Sequence, residues 1–154
     1  MKGDTIPDQD HVARLCHPNQ APDGQVQPAA FMLRQEDEYL SVNWLEFLDC
    51  SCRESGINEL RQLYSRKFSR VGAGAKIAVL NVGKICEIVR TERPDNRELK
   101  ALHYPLLLAD DPTLKVDDLS HSGIYNLNED NHFIAELIVE VLSESETYSA
   151  RIRT

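Results

Sequence analysis

The sequence contains no long apolar run. Its densest apolar clusters, Ile77–Leu80 and Leu106–Ala109, fall far short of the ~20 residues that cross hydrocarbon, so no membrane association is expected. The first residues, MKGDTIPDQD, are polar and acidic. They lack the ~7–15 apolar residues of a secretory signal, which predicts a cytoplasmic location. Four cysteines (Cys16, Cys50, Cys52, Cys86) are too few to form a disulfide framework at 154 residues and are expected as thiols. Glycine and proline number only seven each, and 42% of the chain is apolar, which excludes collagen-like, mucin-like and disordered classes. No internal repeat is present.

Complete catalytic signatures are missing as well. There is no G-x-S-x-G and no protease-type cysteine motif. Gly72-Ala-Gly-Ala-Lys76 lacks the Ser or Thr of a phosphate loop and precedes a strand rather than a helix, so it reads as a flexible link. Asp110-Asp111 and Asp117-Asp118 do not follow the calcium-loop pattern and read as turn chemistry. Cys50-Ser-Cys52 with Cys16-His17 has an uncommon spacing for zinc, so neither metal nor cofactor is assigned.

The most informative absence is local. Between Leu60 and Cys86 there is no Asp or Glu, but six bases: Arg61, Arg66, Lys67, Arg70, Lys76 and Lys84. The rest of the chain holds 25 acids against 11 bases, so the net charge of -8 averages two unlike parts. A local basic face could attract a phosphate ligand, nucleic acid or an acidic partner. Internal pairing of these bases with the chain's own acids is the competing reading.

What is present indicates one domain, since a chain of this length buries roughly 68–70% of its unfolded surface. Residues 1–10 read as a flexible tail, 11–146 as the domain and 147–154 as a second tail. Short extended segments are expected at His11–Leu15, Ala29–Arg34, Leu40–Val42, Ile77–Leu80 and Leu99–Tyr104. Trp44, Leu45 and Leu48 recur at helical spacing after Ser41 or Asn43, and Ile57, Leu60, Tyr64 and Phe68 form a helical stripe. The segment 83–92 fits either strand or helix. Residues 109–124 lack periodicity and read as a long loop. A helix over about 129–144, capped by Asn128, carries a two-wide stripe from Phe133 to Leu142. The irregular mixture predicts an α+β fold, with a small mixed or antiparallel sheet packed against about three helices.

Two functional readings arise. The first is a non-enzymatic interaction module that docks an anionic or acidic partner through the basic face of residues 60–86, with a protein partner or a homo-oligomer expected. The second is a small phosphodiester- or nucleotide-handling enzyme. There His11 and His121 serve as base and acid, Arg14 stabilises the anion, and Ser41 and Asn43 help from a strand-end rim. Convergence of His11, Arg14 and His121 in one pocket is what this second reading requires.

Overall fold

The computed structural model describes residues 2–48, 51–92, 95, 97–127 and 131–152. Among these residues six strands, β1 (His11–Cys16), β2 (Leu40–Trp44), β3 (Lys76–Asn81), β4 (Lys100–His103), β5 (His121–Tyr125) and β6 (Thr147–Ser149), form one sheet in the order β4-β5-β2-β1-β3-β6. Every ladder is antiparallel. Among the described residues four α-helices accompany it: α1 (Leu45–Leu48), α2 (Arg53–Lys67), α3 (Val82–Glu92) and α4 (Asn131–Val141). The fold is α+β, and among the described residues no helix is long and apolar enough to cross a membrane.

Strand alternation sorts the apolar residues onto two faces. Val12, Cys16, Leu40, Val42, Ala78, Leu80, Ala101 and Ile124 pack with Ile85 and Val89 of α3 and Ile134, Leu137 and Ile138 of α4. On the other face Ala13, Ile77 and Val79 pack beneath Leu45 of α1 and Ile57, Leu60, Leu63 and Tyr64 of α2. The apolar packing of the second helical layer therefore lies over β1 and β3 and does not continue over the same face of β2 and β5. There the inward positions are Ser41, Asn43, His121 and Gly123 instead of aliphatic residues.

Several expectations are corrected. Gly3–Ile6 is not a loose tail: Gly3 N donates to His103 O at 2.6 Å, Ile6 N to Ala101 O at 2.9 Å and His103 N to Asp4 O at 2.8 Å. Ile6 is buried in the core, and the segment covers the exposed edge of β4. The C-terminal tail likewise begins with β6, whose pairing with β3 continues in Ala150 N to Ala75 O at 3.0 Å. The strand expected at 29–34 is a short 3-10 turn, Pro28–Phe31, because Pro28 has no N–H for a ladder and fits the first position of a helical turn. The segment 83–92 is helical. The final helix is described over Asn131–Val141, and its expected Asn128 cap lies outside the described residues. Residues 121–124, expected as loop, belong to β5.

Gly123 shows why β5 has so weak an apolar pattern. A Cβ there would stand 2.6 Å from Cδ1 of Tyr39, 2.8 Å from its Cγ and 3.0 Å from Tyr125 Cε1. The bare backbone lets the Tyr39 ring lie on the sheet, 5.2 Å from Tyr125 and 5.7 Å edge-on from His121. Gly123→Ala is expected to cost about 1–3 kcal/mol by overpacking. Urea denaturation would show this as a lower midpoint, with altered Tyr39 aromatic resonances; an unchanged midpoint would contradict it.

Candidate active site

The site begins where the sheet opens. The ladder between β1 and β2 holds only two pairs, Val12↔Trp44 and Ala13↔Asn43, whereas β1 and β3 pair over six residues. In the same register Arg14 would face Val42 and Leu15 would face Ser41, but the strands diverge. The Arg14 side chain fills the gap: Nε donates to Ala30 O at 2.5 Å and Nη1 to Ser41 O at 2.7 Å. The bond to Ser41 O satisfies a carbonyl that the separation of β1 from β2 would otherwise leave without a ladder partner. Burial pulls the Arg14 pKa below its ordinary value, partly offset by Cys16 and Tyr64.

The opening is a cleft of about 880 Å³. Arg14, Ser41 and His121 line it together with Tyr39, Lys67 and Phe68, while Glu36 and Glu38 also contribute to its wall. Ser41 Oγ lies 2.7 Å from His121 Nε2, and His121 Nδ1 lies 2.7 Å from Tyr104 O. A carbonyl only accepts, so Nδ1 carries the proton and Nε2 presents its lone pair; the Ser41 hydroxyl then donates to it. Burial lowers the His121 pKa below 6.5, and Lys67 pushes the same way. The Tyr104 carbonyl and Asp118 oppose the shift. The neutral, Nδ1-protonated ring is thus the form that the surroundings favour.

A buried polar network clamps the floor. Asn43 Nδ2 donates to Asp118 Oδ1 and Ser120 Oγ, both at 2.8 Å, and Tyr64 OH donates to Asn43 Oδ1 at 3.0 Å. Lys67 Nζ reaches the other Asp118 oxygen at 2.6 Å. With its amide satisfied on both ends, Asn43 holds β2 to the segment before β5 and to α2 rather than meeting a ligand. The Tyr64 hydroxyl, fully enclosed, has its pKa raised by burial first and by Asp118 second.

Of the residues singled out from sequence, Arg14, Ser41 and His121 share the cleft, and Asn43 lies at its floor. His11 does not line it. It sits at the opposite end of β1, where Nδ1 lies 2.6 Å from Glu46 Oε2 and its backbone N donates to Glu46 Oε1 at 2.7 Å. The expected convergence of His11 with His121 is therefore corrected. His11 ties the start of β1 to α1.

The six bases do not form one exposed face. Arg61 is only 4% exposed and donates to Ser149 O and Asn58 Oδ1. Lys67 is paired with Asp118, and Lys76 is half-buried at the start of β3. Arg66 and Arg70 are exposed at the end of α2 and just beyond it, but exposed Lys84 lies on α3, across the sheet. Internal pairing and dispersion over both faces thus replace the expected basic face. Cys16 is buried on β1, Cys52 caps α2 by accepting from Ser55 N, and Cys50 lies outside the described residues. Among the described residues no three potential metal ligands cluster.

Sequence reasoning missed Asp118, Lys67 as its partner, and the Tyr104 carbonyl. Asp117 is the turn residue expected, accepting from Leu108 N at 2.7 Å, but Asp118 points inward and is 1% exposed. No protein-family model, curated protein or solved structure matches the chain.

Proposed function

We propose that the cleft is the active site of a small ester-processing enzyme, with Ser41 as nucleophile and His121 as its general base. One observation carries this reading: the 2.7 Å contact between Ser41 Oγ and His121 Nε2, with the other ring nitrogen committed to Tyr104 O. Nucleophile, base and an orienting acceptor in that order are the working parts of nucleophilic catalysis, recognised by geometry rather than by chain order. As Oγ attacks, its proton passes to Nε2, and the imidazolium then returns that proton to the leaving oxygen. A backbone carbonyl replaces the carboxylate of the usual triad. It fixes the tautomer without a full charge, while buried Asp118 contributes a negative field at the ring.

This is the enzymatic reading of the sequence with two changes. Ser41 acts directly on the substrate, and His11 takes no part. The test is a fluorophosphonate probe, which reacts with activated serines by losing fluoride. Intact-mass measurement and peptide mapping are expected to give a single adduct on Ser41, absent from Ser41→Ala. Failure of folded protein to form that adduct would overturn the proposal.

A further inference from the structure

We infer that the electrophile is the phosphorus of a small phosphate ester whose anionic oxygens are held by the free edge of Arg14. This rests on Ser41 and His121 acting as proposed above, and it adds the substrate class. A guanidinium has five N–H donors in a rigid fork. Two of Arg14's are used, on Ala30 O and Ser41 O, and among the described residues no protein acceptor meets the other three. Among the described residues its partners are neutral carbonyls rather than a carboxylate, in a half-buried position that lines the cleft. A half-buried cation with unused donors is completed by an oxyanion, for which fork geometry is suited.

The location narrows the class. Arg14 bonds the backbone carbonyl of Ser41 and lines the same cleft, so an anion held there by Arg14 shares that cleft with the nucleophile. The charge then belongs to the reacting group, as in a phosphoryl group, and a neutral carboxylic ester would leave the guanidinium uncompensated. Lys67 is neutralised by Asp118 and Arg34 by Asp37, while Glu36 and Glu38 add negative charge to the wall. A long polyanion would meet those acids outside the Arg14 position, which favours a small ester over a nucleic-acid strand.

The chemistry balances with water as the only co-reactant. Ser41 Oγ bonds to phosphorus as the ester P–O bond breaks, and the Oγ proton moves through His121 to the leaving alcohol. Water then attacks phosphorus, gives its proton to His121, and the Oγ–P bond breaks as Ser41 recovers that proton. The products are an alcohol and inorganic phosphate.

Inorganic phosphate, titrated at matched ionic strength, is the probe of the anion site. It is expected to slow fluorophosphonate labelling of Ser41 with saturation in the ~1 mM range, and to bind Ser41→Ala in the same range by calorimetry. Arg14→Lys, which keeps charge but loses the fork, is expected to weaken that protection by about tenfold. Because Arg14 also bonds two carbonyls, the wild-type and Ser41→Ala titrations stand even if this variant fails to fold. p-Nitrophenyl phosphate is expected to turn over in preference to p-nitrophenyl acetate. Labelling of Ser41 without phosphate protection, or turnover of the acetate ester alone, overturns the phosphate inference and leaves the nucleophile standing. Phosphate binding without any labelling of Ser41 overturns the nucleophile, and phosphoryl transfer with it.

Discussion

Replacing His121 with alanine is expected to slow fluorophosphonate labelling of Ser41 by about 10²–10⁴-fold, the range of a positioned general base. The wild-type rate should rise with pH and level off, because attack needs neutral His121. Burial holds the ring's pKa below 6.5, so the plateau should already cover neutral pH. His121→Ala should lose that inflection, a signature that a merely structural role would not produce. Stability carries the same sign. Above about 6.5 the ring is neutral in folded and unfolded chains alike. As pH falls through that value and towards the lowered native pKa, the unfolded chain takes up the proton first and stability is lost. The variant should therefore be less acid-sensitive in urea melts. An unchanged labelling rate in folded His121→Ala would refute the base assignment.

The parts of this site differ in how far they were legible beforehand. Ile57, Leu60 and Tyr64 announced α2 because a helix buried along one face must repeat its apolar residues, and Ile77–Leu80 announced β3 because both its faces are covered. β5 gave no such signal. His121 and Gly123 lie where a polar network and the Tyr39 ring replace aliphatic packing on the sheet, leaving Ile124 as the strand's one large aliphatic residue. The pairing of Ser41 with His121 spans 80 residues and depends on the β2–β5 register, which local pattern cannot supply. Arg14 was singled out as a cation near His11, but its bond to Ser41 O follows from the split between β1 and β2. His11 was misplaced for a related reason: it stands three residues before Arg14 on an extended strand, roughly 10 Å away, and pairs with Glu46 instead.

The largest stability effect is expected at Asp118. It is 1% exposed and accepts from both Lys67 and Asn43, so Asp118→Ala removes one member of a buried ion pair and leaves the other without its charge partner. Such losses run to about 3–5 kcal/mol, a large share of the ~5–15 kcal/mol that holds a domain folded. The Lys67 side chain retains 18% exposure and can relax towards the cleft, which places the expected value near the lower end of that range. Asn43 keeps Ser120 Oγ and Tyr64 OH, so the network should loosen rather than dissolve. Pairing the change with Lys67→Met removes the stranded ammonium, and the double variant should recover part of the loss. A double-mutant cycle by urea denaturation should then give a coupling of about 1–3 kcal/mol. Strict additivity would show that the 2.6 Å contact contributes little. The cycle also separates scaffold from chemistry. If the network only holds β2, β5 and α2 in register, the double variant should regain labelling at Ser41 along with stability, because Ser41, His121 and Tyr104 are all retained.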